Sequence, residues 1–237
     1  MPLFNFSLNE LVLKNDTHEL RVEGIKFKVG KDNCAVALIG ESGMGKTTIF
    51  KSLFPKYLEL WRMSKQHRLS VNHSFNGDKF DEIDIQKNRL PLTIGFANQS
   101  PYFLEENSTT DNIFFPLKWT NTSQISSEKQ LEYLSTWRID NIAAKPLSIL
   151  SGGQRQIVNL ARVMVTKPDV LIIDECFSSM NEKLAKFYIT LLKENYSDVC
   201  FIVTSHRHSD IEQFECTSFT LKKEQGRAGY FVVTLEG

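Results

Sequence analysis

The sequence predicts an α/β fold with parallel strands, on the basis of three apolar runs. Val170 to Ile173 and Val199 to Val203 are continuous apolar segments of strand length, which is typical of parallel strands buried on both faces. A third run, Cys34 to Ile39, leads into a glycine-rich loop and then into a segment with helical spacing of apolar residues. Strand, loop and helix in this order form the repeating unit of α/β folds.

Length and composition favour one domain. The chain has 237 residues, 41% of them hydrophobic, and no linker divides it. Lys plus Arg and Asp plus Glu both number 28, so the net charge of zero gives no footprint for nucleic acid, and we expect no nucleic-acid partner. Because no signal-peptide pattern and no apolar run of about 20 residues is found, we expect any membrane role to come through a partner. The four cysteines form no C-x-x-C pair and are expected to be buried and reduced: Cys34, Cys176, Cys200 and Cys216.

The glycine-rich loop matches the pattern G-x-x-x-x-G-K-[ST] and predicts a nucleoside triphosphate site. Gly43 and Gly45 let consecutive backbone N–H groups approach phosphate oxygens, and the following helix start favours anions. Lys46 supplies a positive charge between the β- and γ-phosphates, and the Thr47 hydroxyl is a hard oxygen ligand suited to Mg²⁺. Met44 stands at the loop tip, which should tolerate its side chain. The predicted binding residues are Gly40, Glu41, Ser42, Gly43, Met44, Gly45, Lys46, Thr47 and Thr48.

The other elements of the first hundred residues are predicted to be strands. Leu11–Leu13 and Leu20–Val29 have strand character, the second being interrupted at Gly24. Leu69 to Val71 begins a short strand, and Asn76-Gly77 is a turn signal of the kind found in hairpins. Thr93 to Ala97 predicts a core strand that delivers Asn98 and Gln99 to its end.

The residues that follow predict a mainly helical insertion and then two more helices. Lys129 to Trp137 is amphipathic, with Leu131, Leu134 and Trp137 on the expected apolar face. The stretch from Leu150 to Val165 begins as a loop and becomes a helix with Ile157, Leu160, Ala161 and Met164 on one face. Asn181 to Asn195 predicts a helix with an Asn N-cap, and the tail after Ile211 predicts short strands.

At this point the chain resembles the ATP-binding cassette (ABC) ATPases over nearly its whole length. The residues from Leu150 to Gln154 read LSGGQ, an unaltered copy of the signature of that family. The phosphate loop, a Gln after a strand, the signature, a strand ending in Asp-Glu and a Ser-His after the next strand occur in family order. The resemblance implies a phosphate-loop NTPase core of ABC type, with an N-terminal antiparallel β subdomain and a helical signature subdomain. We expect one domain, with residues 1–98 and 165–237 as the core and 99–164 as the helical part.

The resemblance assigns roles to four residues that bear on hydrolysis. Asp174 is expected to hold Mg²⁺ together with Thr47. Glu175, one residue further on, is expected to accept a proton from the attacking water. Gln99 is a neutral ligand for Mg²⁺ and water, and His206 can donate a hydrogen bond to the γ-phosphate. With Lys46, the predicted catalytic residues are Glu175, His206 and Gln99.

The signature implies a dimer. Ser151, Gly152, Gly153 and Gln154 stand at a helix start, which is a second anion site. In the family this site binds the γ-phosphate of ATP on another cassette, so that two ATP molecules lie between two cassettes arranged head to tail. The resemblance therefore implies pairing with a second cassette, identical or different, with ATP and Mg²⁺ as ligands.

Three positions depart from the family pattern. Cys176 follows Glu175 where many relatives have Pro, and Asn181 replaces an Asp that helps to couple the two sites. No aromatic residue lies between Leu11 and His18 to stack on adenine, since Phe4 and Phe6 come too early, so His18 or an aliphatic residue is expected to contact the base. The remaining histidines have no motif context and are expected at the surface: His67, His73 and His208.

Two functions remain open from the sequence. The first is the ATPase subunit of a transporter with a separate multi-span membrane subunit, located in the cytoplasm at the inner face of the membrane. The stretch from Tyr102 to Pro116, which includes Thr109 to Phe115, resembles the region after the glutamine loop in export-type cassettes, which in that family docks the membrane subunit. The second is a cassette without a membrane partner, resembling the ATPase of iron–sulfur cluster assembly or a regulatory ATPase. ATPases of DNA repair or chromosome organisation are disfavoured, because the segment between phosphate loop and signature has neither heptads nor paired cysteines.

Overall fold

The computed structural model of the chain describes residues 2–14, 19–30, 34–57, 67–119, 125–225 and 230–236. Its strands are β1 Phe4–Lys14, β2 Glu19–Val29, β3 Ala35–Ile39, β4 His67–Val71, β5 His73–Phe75, β6 Asp78–Phe80, β7 Ile94–Ala97, β8 Val170–Asp174, β9 Cys200–Thr204, β10 Thr217–Gln225 and β11 Tyr230–Glu236. Its helices are α1 Lys46–Lys51, α2 Glu82–Gln86, α3 Thr109–Phe114, α4 Ser127–Thr136, α5 Gly152–Met164, α6 Glu182–Asn195 and α7 His208–Phe214. Short 3₁₀ turns cover Phe115–Trp119, Asp140–Ile142 and Leu147–Ile149. None of the helices within these ranges is long and apolar enough to cross a membrane.

All of these strands belong to one sheet with a parallel and an antiparallel half. The parallel half has the order β3-β9-β8-β7, and the antiparallel half is built on β1, β2, β4, β5 and β6. The β10–β11 hairpin joins the halves, because β10 runs parallel to β3 and β11 runs parallel to β2. The carboxyl ends of the four parallel strands therefore lie at one edge, where α/β folds place their sites.

Two apolar clusters cover the sheet. One joins the helical insertion to the sheet through residues such as Trp137, Ile157 and Phe201. The other packs the antiparallel half and α1 together and includes Phe6 and Ile49. Because both faces of β8 and β9 are covered, every residue in these strands is buried, as their continuous apolar sequences predicted.

Three local predictions, a turn, a helix cap and a strand, can be compared with the structure. Asn76 and Gly77 form the turn of the β5–β6 hairpin with positive φ angles of 50° and 99°, as predicted. Asn181 caps α6 by accepting a hydrogen bond from the Leu184 N–H at 2.9 Å. The strand predicted from Leu20 runs through Gly24, whose φ of +68° does not end β2.

Two expectations about which side chains are buried or exposed were wrong. His73 is fully buried rather than at the surface, because alternate residues of β5 face the core. His208 is exposed as expected, and the side chain of His67 lies outside the described set. Leu131 is 61% exposed, so the apolar face of α4 is carried by Leu134 without it.

The cysteines and the early aromatic residues also occupy defined places. All four thiols are free; Cys176 and Cys200 are buried, and Cys34 and Cys216 are half-buried. Phe4 and Phe6 begin β1 seven residues before the predicted strand and are buried in the core. Of the segment expected to contact adenine, Leu11 is buried in β1, and residues 15–18, including His18, lie outside the described residues.

Candidate functional site

The phosphate loop connects β3 to α1. Gly43 and Gly45 adopt φ angles of +80° and +82°, which only glycine enters without strain. The Gly45 carbonyl accepts a hydrogen bond from the Ile49 N–H at 2.8 Å, which starts the helix. Residues 41–43 are exposed. The loop therefore presents an open, curled backbone of the shape that can enclose an anion.

The loop accommodates Met44 by burying its side chain. Only 8% of it is exposed, because its side chain turns into the core, and its sulfur lies 2.9 Å from where a Cβ on Gly40 would be. A side chain at Gly40 would therefore require the Met44 side chain to move. The unbranched thioether of Met44 fills the space next to Gly40, which explains how a bulky residue is accommodated here.

The Lys46 ammonium is held by its own loop. Its Nζ donates to the carbonyl oxygens of Gly40 at 2.6 Å and Glu41 at 3.0 Å. Burial lowers the pKa of Lys46, and the carboxylates of Glu175 and Asp174 act in the opposite direction. The positive charge therefore lies inside the loop that would surround a triphosphate.

Asp174, at the end of β8, is joined by hydrogen bonds to α1 and to β9 at the sheet edge. Its carboxylate accepts hydrogen bonds from the hydroxyl groups of Thr47 at 2.5 Å and Thr204 at 2.7 Å. The carboxylate is 3% exposed and ends β8, where it pairs in register with Thr204 of β9. The Thr47 hydroxyl and the carboxylate are hard oxygen donors, and two such protein ligands suit Mg²⁺, which usually keeps waters and takes phosphate oxygens besides.

Glu175 and His206 form a pair beside this carboxylate. Glu175 Oε1 and His206 Nε2 are 2.8 Å apart, and 50% of the histidine side chain is exposed. Glu175 adopts a φ of +55°, and its N–H donates to the Thr204 carbonyl at 3.1 Å. A residue other than glycine adopts this backbone conformation only rarely, and here it occurs at the residue whose carboxylate faces His206.

Gln99 follows β7 and is exposed, and its backbone is fixed by α5. Gln156 donates to the Gln99 carbonyl at 2.5 Å, and Asn159 donates to the Asn98 carbonyl at 3.0 Å. Both donors are buried, at 6% and 0% exposure. These two donors were not predicted from the sequence, although polar residues three apart on the buried side of an amphipathic helix indicate buried hydrogen bonds.

Cys176 reinforces the same contact. Its Sγ lies 3.0 Å from the Ala97 carbonyl, and the Asn159 amide lies 3.8 Å from the sulfur. Burial raises the pKa of this thiol, so it stays protonated and can donate to that carbonyl. The cysteine at this position thus contributes to the backbone contacts behind Gln99.

The signature residues lie at another place on the surface. Ser151 is the N-cap of α5 and forms a capping box with Gln154, in which each side chain bonds the other residue's N–H. Ser151 and Gly152 are exposed, and both Gly152 and Gly153 lie against Ser179. The structure therefore brings Lys46, Thr47, Asp174, Glu175 and His206 together, and it leaves the signature open to solvent beside the turn that follows Glu175.

These features define a nucleotide-binding domain of the phosphate-loop class. A family model described as ABC transporter matches residues 22–178. The chain belongs to the ABC transporter family and is an ATP-binding cassette ATPase. The predicted fold class is confirmed.

Named relatives lie at moderate identity. The lipoprotein-releasing system ATP-binding protein LolD of Neorickettsia sennetsu is 32% identical over 174 residues, which cover 71% of this chain and 72% of that protein. The sulfate/thiosulfate import ATP-binding protein CysA of Bordetella pertussis is 27% identical over 197 residues; the match covers 81% of this chain and 52%, about half, of the length of CysA.

Solved structures show the same fold. The cassette MJ0796, a dimer in a post-hydrolysis state bound to ADP and Pi, superposes with a TM-score of 0.70 at 20% identity, and 96% of each chain is covered. At this identity the likeness is evidence for the fold.

Proposed function

We propose that this chain is the ATP-hydrolysing subunit of a transporter, in which two cassettes dimerise around ATP and drive a separate membrane subunit. The observation that carries the proposal is the assembly of one ammonium, two carboxylates and one imidazole at the rim of the phosphate loop. The roles follow from what each group can do there. An export direction is supported by the export-like stretch Thr109–Phe115, whereas the named relatives act in release and in import.

Hydrolysis would use this chain's groups as follows. The loop N–H groups and Lys46 bind the phosphates, and the ammonium offsets the charge that gathers on the γ-phosphoryl oxygens. The Glu175 carboxylate takes a proton from water, whose oxygen bonds to the γ-phosphorus while the bond to the β–γ bridging oxygen breaks. His206 orients the water and the γ-phosphate. Thr47, Asp174 and Gln99 would hold Mg²⁺, which when bound neutralises phosphate charge.

The second cassette follows from the position of the signature. The chain carries one phosphate loop and one LSGGQ stretch, and Ser151 and Gly152 are exposed at the start of α5. The capping box uses the N–H groups of Ser151 and Gln154, and the start of the helix still favours an anion. We propose that it contacts the γ-phosphate of ATP held by the other cassette.

A membrane subunit is supported by the exposed apolar residues after Gln99. Tyr102 is 91% exposed, Leu104 42% and Phe115 37%, and exposed apolar side chains are what a partner surface can cover. Arg162 fixes the segment by donating to the Tyr102 carbonyl at 2.6 Å, and Arg155 forms two hydrogen bonds to Glu105 at 2.6 and 2.7 Å. The stretch after β7 thus presents exposed apolar side chains, and its backbone at Tyr102 is fixed by Arg162.

The test is affinity purification of tagged Glu175→Gln protein from detergent-solubilised membranes with ATP and Mg²⁺. We expect a multi-span membrane protein in stoichiometric amount. With Glu175 present, the double variant Tyr102→Glu and Phe115→Glu should keep ATP turnover. The same two changes made in the Glu175→Gln protein should abolish recovery of the membrane protein. Recovery from the soluble fraction as a homodimer, or with soluble partners, would overturn the transporter proposal in favour of a cassette without a membrane partner.

A further inference from the structure

We propose that Arg207 is a positioning residue, which together with Asp210 fixes the turn Phe177–Met180 between the Glu175–His206 pair and the chain's own signature glycines. The inference rests on the proposed function, because it assigns a task to a residue that neighbours the hydrolytic site. Arg207 follows His206 directly in the chain.

The Arg207 guanidinium holds two ends of one turn. Its two terminal nitrogens donate to the carbonyl oxygens of Met180 and Phe177, each at 2.7 Å. Its Nε donates to Asp210 Oδ2 at 3.0 Å, and a terminal nitrogen lies 3.0 Å from Oδ1 of the same carboxylate. Only a planar fork with several fixed donors can make these bonds at the same time, which a lysine ammonium cannot do.

Asp210 ties the same guanidinium to both sides of His206. The carboxylate is 2% exposed and accepts a hydrogen bond from the Ser205 hydroxyl at 2.7 Å. The Arg207 N–H in turn donates to that hydroxyl at 3.1 Å. The residues before and after His206 are therefore bound to one buried carboxylate, so the backbone that carries the imidazole is fixed with the guanidinium.

The turn begins at Glu175. The Glu175 carbonyl accepts hydrogen bonds from the Ser178 N–H at 3.2 Å and from the Ser178 hydroxyl at 2.8 Å. Met180 N–H then donates to the Phe177 carbonyl at 3.0 Å. A displacement of this turn would therefore pull on the backbone of the residue that we propose as the base.

The other side of the turn packs on the signature. A Cβ on Gly153 would lie 3.3 Å from the Ser179 carbonyl oxygen, and a Cβ on Gly152 would lie 3.6 Å from Ser179 Cβ. Ser179 lies between the two residues whose carbonyls Arg207 holds. One guanidinium thus sets the distance between the hydrolytic pair and the signature of the same chain.

The experiment compares steady-state ATP hydrolysis in Arg207→Gln, Arg207→Lys and a control, Lys193→Gln. Lys193 also links α6 to the end of α7, since its Nζ donates to Gln213 O at 3.2 Å and Glu215 Oε2 at 2.8 Å, but it makes none of the bonds to the turn. We expect kcat to fall roughly 10- to 100-fold in Arg207→Gln with KM for ATP changed less than about twofold, because the phosphate loop is untouched. The control should keep the wild-type kcat.

Arg207→Lys guards against a folding defect, because it keeps a positive charge beside Asp210. We expect it to have a wild-type melting temperature within a few degrees and a reduced kcat. Wild-type kcat in Arg207→Lys, or a rise in KM that matches the loss of kcat in both variants, would overturn the inference. Glu175→Gln is assayed alongside: if it turns over ATP normally, the proposed site has failed, whereas its inactivity beside fully active Arg207 variants refutes only the role of Arg207.

Discussion

Two histidines of this chain show how position in the sheet decides what a side chain does. His206 follows β9 at the carboxyl edge of the parallel half, is half exposed and lies 2.8 Å from Glu175. His73 lies in β5 of the antiparallel half, is fully buried, and is surrounded by aromatic rings, with Phe6 at 4.7 Å and Phe80 at 5.2 Å between ring centroids.

The difference is one of hydrogen bonding and solvation. His73 Nδ1 accepts a hydrogen bond from the Ser7 N–H at 3.0 Å, and its Nε2 has no hydrogen-bond partner among the described residues. Burial lowers the pKa of His73 to about 3, so the ring is neutral at physiological pH. His206 faces a carboxylate and solvent and is free to exchange hydrogen bonds. The first histidine is therefore part of the core, and the second is available for chemistry.

The largest expected effect is at the carboxylate beside His206. Glu175→Gln keeps the size of the side chain but removes the proton acceptor, so we expect kcat for ATP hydrolysis to fall roughly 10²- to 10⁴-fold. Phosphate release measures kcat, and gel filtration with ATP should show a trapped dimer. Glu212→Gln, at an exposed acid of α7, is the control. Normal turnover in Glu175→Gln would remove this residue from the role of base.

The opposite behaviour is expected at the buried histidine. His73→Ala should lower the free energy of unfolding by about 2 to 4 kcal/mol, because it leaves a cavity among the rings and an unpaired Ser7 N–H. Urea unfolding measures the loss. At temperatures where the variant is folded, kcat should equal that of the wild type. A marked loss of kcat in the folded variant would break the contrast between the two histidines.

A pH series tests the same site without a change in shape. The unfolded chain binds a proton at His73 near pH 6.5, whereas the folded chain does so only near pH 3. The contribution of neutral His73 to the free energy of unfolding is therefore fully present above pH 6.5 and is lost as the pH drops towards 3. The loss should reach about 3 kcal/mol by pH 4. His73→Asn keeps an acceptor for the Ser7 N–H but cannot titrate, and the difference in slope between the two proteins isolates His73. Equal slopes would show that His73 is not the titrating group.

The smallest expected effect is that of Leu131→Lys, and it extends the comparison to two apolar side chains on one helix. Leu131 of α4 is 61% exposed, whereas Leu134 is 1% exposed. Leu131→Lys should change the free energy of unfolding by no more than about 0.5 kcal/mol. Leu134→Ala should cost about 2 to 5 kcal/mol. Thermal unfolding of both variants measures the two losses of stability, and similar losses would mean that both leucines are in the core.

Patterns confined to a few residues were readable from the sequence alone. The phosphate loop, the strand that ends in Asp174, the start of α5 at the signature and the Asn181 cap depend on backbone geometry and apolar spacing within one or two turns of chain. Such signals depend only on local sterics and hydrogen bonding, so the residues themselves encode them. The fold class and the family followed from these local patterns in their order.

Contacts between distant residues were decided only by the tertiary structure. Thr47 and Asp174 are separated by 127 positions, and Asn159 and Asn98 by 61, yet each pair is joined by a hydrogen bond. The burial of Met44 and His73 likewise depends on which face of a strand or loop meets another element. Sequence determined the elements and the chemistry they carry, whereas packing determined which polar groups are buried, which are paired and which stay open to a ligand.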